Sequence, residues 1–243
     1  MPQKYEGYSL SQFTPPSFKD ICDDLLIKER DIVSHFSKAR HFVDLVRICL
    51  LPPKRHGKTK KADSLAAPNV TKLHRSGVKF VLAEKNNLLD ITFNKRTLEI
   101  PKLTISNMSV HLLRNLQIFE KLHCGTNYMN DYDMLLHRLL STPKDVEFLT
   151  HTGVIENRIS DSEGVSTLFR ELSKDARAQN SIFYYSSLVK DLQDYCNSPC
   201  HEWKAILRQK YLNNPWAYIS VIVAGLILIL TFIQAVCSII GVL

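Results

Sequence analysis

The chain has 243 residues, of which 45% are hydrophobic and 23% charged, and its formal net charge is +7 at pH 7. This composition is typical of a globular protein and excludes a disordered or collagen-like chain. The length is sufficient for one domain with a buried core. The charge is unevenly distributed, because no charged residue follows Trp216.

The first predicted segment, residues 1–53, has a helical pattern. Ser17 is placed to cap a stretch in which apolar residues recur at steps of three and four as far as Leu50, and Pro52-Pro53 ends this stretch. Residues 1–16 are polar and lack the apolar region of a secretory signal peptide. If helices that would cover this segment are missing, its apolar face is expected to be partly exposed and to attract another chain.

A basic linker, residues 54–69, follows. It begins with the run Lys54-Arg55-His56-Gly57-Lys58-Thr59-Lys60-Lys61. The favoured interpretation is a solvated loop, with contact to anionic lipid, nucleic acid or an import receptor as alternatives. No aromatic residue is interleaved with these cations, and nucleic acid is therefore not expected as a partner.

The body, residues 70–214, is predicted to be mostly helical with a small antiparallel β-meander near 78–101. A short helix over 70–75 should end at Ser76-Gly77, where glycine suits a left-handed cap. Strands are predicted at 78–82, 88–93 and 98–101, joined by two polar turns. The helical period then returns and predicts helices over 110–122, 130–140, 143–150, 163–176, 182–196 and 200–212.

The six cysteines do not form the pattern of a disulfide framework, because the chain is long and contains few of them. Cys196, Cys200 and His201, with His123-Cys124 far upstream, could be drawn as a zinc site. Their spacing matches no familiar zinc module, and scattered reduced thiols are the favoured interpretation. We therefore expect no metal and no cofactor. Asp131 and Asp133 are expected to stabilise a helix N-terminus.

The C-terminal segment, residues 215–243, is predicted to be a single transmembrane helix. About 20 apolar residues cross a bilayer core, and this run is long enough. A buried core helix is the alternative. The expected membrane-anchor residues are Trp216, Tyr218, Ile222, Leu226, Leu230 and Ile233, and the expected interfacial cations are Lys204, Arg208 and Lys210.

The orientation of this predicted anchor follows from the cations on its N-terminal side. They place the body in the cytosol, with the lipid bilayer as a partner, as in a tail-anchored protein. Two glycosylation sequons, at Asn69 and Asn107, fit the opposite topology. The sequence does not identify the membrane, but the plasma membrane is favoured.

Five blocks of the sequence lie in register over about residues 40–243: Leu73-His74-Arg75-Ser76-Gly77-Val78-Lys79-Phe80, Leu89-Asp90-Ile91-Thr92-Phe93, Leu98-Glu99-Ile100-Pro101, Leu113-Arg114-Asn115-Leu116 with Phe119-Glu120, and Asn213-Asn214-Pro215-Trp216. In order and spacing these blocks resemble a plant family catalogued as domain of unknown function 247. Members of this family are commonly about twice as long, and the chain resembles their C-terminal half. A Leu-Glu-Asn-Gln-Ile/Leu-Pro block and a His-rich segment of their N-terminal half are not found here.

The resemblance implies a mostly helical plant protein that usually ends in one transmembrane helix. It also implies a role such as self-recognition between pollen and stigma, growth or stress response. The family has no established catalytic residues, so none is transferred. The family-motif residues of unknown role are Gly77, Asp90, Pro101, Arg114, Asn115 and Glu120.

Two functions remain open at this stage. The sequence contains no phosphate-binding glycine loop, no nucleophile elbow and no His-Glu-x-x-His motif, and no enzyme is therefore predicted. The favoured function is a membrane-anchored protein-interaction or recognition module with a protein partner. The alternative is a membrane-bound enzyme with a cleft near Arg114, Asn115 and Glu120. Within the chain, His123 or Cys124 is the expected local partner of Glu120.

Overall fold

The structure is a computed structural model that describes residues 16–52, 67–84, 87–159, 161–176, 183–198 and 215–240. The helices in these ranges are α1 (Pro16–Asp24), α2 (Glu29–His35), α3 (Phe42–Leu50), α4 (Val70–Arg75), α5 (Asn107–His123), α6 (Tyr128–Leu139), α7 (Pro143–His151), α8 (Ser162–Ala176), α9 (Ser186–Cys196) and α10 (Pro215–Ile240). The strands are β1 (Lys79–Ala83), β2 (Thr92–Asn94), β3 (Thr97–Pro101), β4 (Leu103–Ile105) and β5 (Ile155–Asn157).

The N-terminal segment forms three short helices in place of one long helical stretch. Leu26 has a positive φ of 57° and turns the chain after α1. A 3₁₀ turn over Phe36–Lys38 ends α2, and His41 caps α3 by accepting a hydrogen bond from the backbone N–H of Asp44. As expected, part of the apolar surface of this segment is exposed, with Val33 and Phe36 60% and 66% accessible.

The turn after α4 has the geometry that the sequence predicts. Gly77 adopts a positive φ of 91°, its N–H donates to the carbonyl of His74, and the N–H of Val78 donates to that of Leu73. A residue with a Cβ is strained at this φ, and glycine is therefore the residue that fits there. The predicted left-handed glycine cap is confirmed.

β1 and β3 lie where strands are predicted, whereas the strand predicted over 88–93 is reduced to β2 at Thr92–Asn94. The predicted antiparallel meander is wrong. β1 pairs with β3 in parallel, in the register Phe80↔Leu98, and only β2 runs antiparallel to β3. The physical reason is that Leu88 and Leu89 enter the core as an irregular segment, where they are at most 1% exposed, and do not pair with β1. A second pair, β4 parallel to β5, is not predicted from the sequence.

The helices α1 to α9 and the two sheets share one hydrophobic core. α6 and α7 pack on α8, α3 packs on α5, and α9 covers β2. Its largest fully buried side chains include Tyr132, Phe169, Phe183 and Tyr185. The helices predicted over 110–122, 130–140, 143–150 and 163–176 are confirmed to within a few residues, and the one over 182–196 begins at Ser186.

The predicted fold class includes a transmembrane helix, and this part of the prediction is corrected at the C-terminal helix α10. Its side chains are described at 219–220 and 222–238, and the predicted anchor residues Ile222, Leu226, Leu230 and Ile233 are exposed. In the described part of the chain, no helix combines the length and apolar character that crossing a membrane requires.

The predicted transmembrane helix over 215–243 is therefore contradicted, and so is the single-pass location with the plasma membrane favoured. The fold class is mostly helical with two small sheets. The predicted anchors Trp216 and Tyr218 have no described side chains. The basic run 54–61, the predicted helix 200–212 and the predicted interfacial residues Lys204, Arg208 and Lys210 lie outside the described residues.

Candidate functional site

The structure does not bring Arg114, Asn115 and Glu120 together. All three lie on α5, but Arg114 and Asn115 are exposed, whereas Glu120 is completely buried on the opposite side of the helix. A cleft lined by all three is therefore not formed. The expected pairing of Glu120 with His123 or Cys124 is also wrong, because its carboxylate binds groups from other elements.

Glu120 is held by α3 and by the start of α6. Nε of Arg47 donates to Oε1 at 3.1 Å, and the backbone N–H of Met129 donates to Oε2 at 2.7 Å. Arg47 also donates to the hydroxyl of Thr126 at 2.6 Å. Burial raises the pKa of Glu120, against the lowering effect of these hydrogen bonds and of the Arg47 charge. The carboxylate of Glu120 therefore connects α5 to α3 and α6, which is a structural role.

Two further buried carboxyl groups lie on α6. Asp131 accepts a hydrogen bond from the backbone N–H of Tyr184 at 2.7 Å, and Asp133 accepts one from the side-chain amide of Gln117. Burial raises the pKa of Asp131 to about 7 and that of Asp133 to about 8, and the negative charge of Glu120 adds to both shifts. Oδ1 of Asp133 has no hydrogen-bond partner among the described residues.

Sequence reasoning missed this buried polar cluster, although the helical period contains a signal for it. Asp133 lies four residues after Met129 and three before Leu136, both of which are buried, and therefore falls on the core face of α6. Glu120 occupies the corresponding position on α5 after Leu113 and Leu116. A charged residue at such a position predicts a buried partner but does not identify Arg47.

The remaining motif residues have structural roles. Gly77 closes α4, and Pro101 is buried at the end of β3 opposite Ala83. Asp90 is half-buried, its N–H donates to the carbonyl of Asn87, and its charge helps to raise the pKa of Tyr184, mainly an effect of burial. Asn69, the first residue of one sequon, caps α4 and donates to Asp145.

A small cavity lies between β2 and α9. It has a volume of about 120 Å³ and is lined by residues that include Phe93, Tyr185 and Asp191. Binding sites for small molecules usually have volumes of roughly 300–1,000 Å³. This cavity is too small for such a ligand.

Metal ligands are not gathered anywhere in the described ranges. Within these ranges, no group of three His, Cys, Asp or Glu side chains could hold a metal ion. Cys22, Cys49, Cys124, Cys196 and Cys237 are free, and Cys200 and His201 lie outside the described residues. The structure therefore does not describe all the residues of the alternative zinc site, which includes Cys200 and His201.

The outward side of α5 has an unusual pattern. Met108, His111, Asn115, Ile118 and Leu122 follow one another at alternating steps of three and four, and all but His111 and Asn115 are large and apolar. Met108 and Ile118 are each 50% exposed and Leu122 is 69% exposed. We call this stripe of residues the α5 face. Its spacing is that of the seam through which one helix packs against another.

Comparison with known proteins identifies the family of the chain. Residues 8–230 match the family described as a plant protein of unknown function, domain of unknown function 247. The chain belongs to this plant family. In the structure, the family block Leu113-Arg114-Asn115-Leu116 lies on α5, where Arg114 and Asn115 are exposed and both leucines are buried.

Two curated relatives of the family come from Arabidopsis thaliana. The chain is 25% identical to the UPF0481 protein At3g47200 over 229 residues, which cover 84% of this chain and 48% of the relative. It is 24% identical to the putative UPF0481 protein At3g02645 over 178 residues, covering 71% of this chain and 33% of the relative. The chain thus spans less than half the length of either. No solved structure matches it significantly.

Proposed function

We propose that this plant-family chain is a protein-interaction module, acting in recognition or signalling, and that the α5 face is its binding surface. The observation that supports this proposal is the exposed seam Met108–His111–Asn115–Ile118–Leu122 on a helix whose other side is already packed. α5 buries Leu112, Leu113, Leu116, Gln117, Phe119 and Glu120 in the domain.

The spacing of the α5 face separates it from ordinary scattered surface hydrophobics. Single exposed apolar residues are normal on a protein surface. Here the exposed residues recur every 3.5 positions on average along a helix of 17 residues, about 25 Å long. A regular seam of this length matches the i, i+3, i+4, i+7 anchors with which helices are recognised in protein complexes.

The proposal is of a binding function and not of a catalytic one. Two observations support this. Arg114 and Asn115 face outwards, away from Glu120, and the carboxylate of Glu120 already accepts hydrogen bonds from Arg47 and from the backbone N–H of Met129. A general acid or base must reach the proton that it transfers. Glu120 is 0% exposed and has no such access.

The experiment is photo-crosslinking in plant cells. A photoreactive amino acid is placed at the exposed Asn107, beside the seam, in the full chain. Crosslinked proteins are compared between this chain, the same chain with Ile118→Ala and Leu122→Ala, and a control with Val81→Thr and Leu82→Thr. The control alters an exposed apolar pair on β1, 45% and 40% accessible. Substitutions of exposed surface residues usually change stability by about 0.5 kcal/mol or less each, and all three chains should therefore fold.

The expected result is a discrete set of crosslinked proteins that persists in the β1 control and disappears in the α5 double variant. Identical crosslinking in all three chains would contradict the proposal, as would the absence of any crosslink.

A further inference from the structure

The α5 face has a charge pattern as well as an apolar seam. Arg114 and Lys121 lie one heptad apart on the same side of the seam and are both exposed. The positions that flank the seam on its other side, Leu112 and Phe119, are buried in the domain. A partner helix would therefore meet charged groups along one edge only, and both of these groups are cations.

No acidic group on α5 offsets these cations. The only acidic residue of α5 is Glu120, which is buried and paired with Arg47. Within the described ranges, neither Arg114 nor Lys121 takes part in an ion pair. Glu171 on α8 has its pKa lowered by its bond to Lys174 and, to a smaller extent, by the charge of Arg114. Nζ of Lys174 donates to Oε1 of Glu171 at 2.7 Å, so this carboxylate already has a cationic partner.

Asn115 lies in the middle of the seam, between His111 and Ile118. The preceding seam position, His111, is also polar. A polar residue in a helix–helix seam fixes the register, because it needs a polar group opposite it when it is buried. The α5 face therefore has three parts: apolar anchors at its ends, the polar positions His111 and Asn115 between them, and two cations along one edge.

We infer that the partner of the α5 face is an acidic amphipathic helix, which packs along α5 with its apolar seam on Ile118 and Leu122 and its carboxylates beside Arg114 and Lys121. This inference rests on the proposed function, because it specifies the chemistry of the partner that binds there. Opposite charges at the edge of a helix pair select the partner and its orientation, and like charges exclude the wrong one.

The probe is a pair of designed helical peptides that share one sequence of apolar seam residues, with asparagine at one central seam position. One peptide carries glutamate at every position that flanks the seam, and the other carries lysine. Uniform charge at these positions prevents each peptide from pairing with itself. Binding of the full chain is measured by fluorescence anisotropy at about 50 mM and about 500 mM salt, because salt screens exposed charges over roughly 3–10 Å.

The expected result is that the acidic peptide binds at least about tenfold more tightly than the basic peptide at low salt, and that this preference shrinks at high salt. In the variant Arg114→Glu with Lys121→Glu the preference should reverse. Ile118→Ala with Leu122→Ala should weaken binding of the acidic peptide at both salt concentrations, whereas Val81→Thr with Leu82→Thr should leave it unchanged.

Failure of this inference is distinguishable from failure of the proposed function. Equal binding of both peptides, or binding of neither, overturns the acidic partner. If crosslinking from Asn107 in cells still depends on Ile118 and Leu122 in that case, the proposed function stands and only the chemistry of the partner is wrong. If crosslinking is independent of the α5 face as well, both are overturned.

Discussion

Arg47 on α3 and Glu120 on α5 form an ion pair that joins two elements distant in the chain. Nε of Arg47 lies 3.1 Å from Oε1 of Glu120, the two residues are 73 positions apart, and their side chains are 10% and 0% exposed. Because the second carboxylate oxygen accepts the N–H of Met129, the same side chain also fixes the start of α6. The N-terminal helices are thereby connected to the centre of the domain.

The first prediction concerns removal of one partner from this pair. Arg47→Met should lower the free energy of unfolding by about 3–5 kcal/mol, because it leaves the buried charge of Glu120 without its cation. The double variant Arg47→Met with Glu120→Gln should lose less than Arg47→Met alone, since the uncompensated charge is gone. Chemical denaturation of the three chains, followed by circular dichroism, measures the difference. A double variant that is less stable than Arg47→Met would contradict the prediction.

Asp145 connects the N-termini of α4 and α7, and its side chain is the basis of the second prediction. Its Oδ1 accepts from the N–H and the hydroxyl of Thr71 at 2.7 and 2.6 Å, and its Oδ2 accepts from the N–H of Thr142 at 3.0 Å. The residue is 0% exposed. Asp145→Ala removes the acceptor of several half-buried donors. It should lower the free energy of unfolding by roughly 2 kcal/mol, since a hydrogen bond to a charged group contributes about 1.5–3 kcal/mol and half-buried donors regain part of this from water.

Ser141→Ala is the matched control for Asp145→Ala. The hydroxyl of Ser141 contributes only one contact to Asp145, at 3.3 Å, and the residue is exposed. Its loss should cost about 0.5 kcal/mol. Equal losses for the two variants, measured by thermal denaturation, would show that Asp145 is not the residue that connects α4 and α7.

The parts of the fold that depend on neighbouring residues could be predicted from the sequence. The period of three and four predicts α5 to α8 because the apolar residues on the buried face of each helix lie about one turn apart in the sequence. Gly77 could be placed because an αL cap needs only local geometry. The same local signals failed for the sheet, since the turn over 84–87 suggests a hairpin, whereas β1 pairs with β3 in parallel.

The buried cluster could be predicted only in part, for a related reason. The period places Glu120 and Asp133 on the core faces of their helices, but the partners that make this burial tolerable come from distant segments. Arg47 reaches Glu120 from 73 residues away, and the N–H of Tyr184 reaches Asp131 from 53 residues away. Such pairings depend on tertiary packing, and the spacing of residues within one helix does not predict them.

The third prediction tests the backbone conformation of Gly77. Gly77→Ala should destabilise the chain by about 1 kcal/mol or more, because a residue with a Cβ is disfavoured at a φ of 91°. Steric contact does not contribute, since the nearest atom to an added Cβ is the hydroxyl oxygen of Tyr195 at 3.8 Å.

Gly125→Ala is the control for Gly77→Ala. Gly125 has no atom within 4 Å of an added Cβ and no φ in the left-handed region. The substitution should therefore be neutral, or slightly stabilising through the unfolded chain. If urea unfolding midpoints fall equally for the two variants, the left-handed conformation of Gly77 is not what stabilises the turn.

The fourth prediction concerns pH, through the buried carboxyl group of Asp133. Burial raises its pKa to about 8 from an ordinary value of 3.8, opposed by the hydrogen bond from Gln117 and reinforced by the charge of Glu120. Between these two pH values the folded chain binds more protons than the unfolded chain. The contribution of this group to the free energy of unfolding should therefore be fully present below about pH 4 and fall as the pH rises towards 8, by up to about 1.4 kcal/mol per pH unit.

Asp133→Asn isolates this contribution, because the amide does not titrate and its oxygen can still accept the hydrogen bond from Gln117. The loss of stability with rising pH should be shallower in this variant than in the unaltered chain, with Asp131, whose pKa is about 7, accounting for part of what remains. Glu171→Gln is the control: the pKa of Glu171 is lowered, chiefly by its hydrogen bond to Lys174, and a carboxyl group with a lowered pKa does not cause a loss of stability as the pH rises. Urea unfolding at a series of pH values measures the slopes, and equal slopes for Asp133→Asn and the unaltered chain would show that Asp133 is ionised in the folded protein across the whole range.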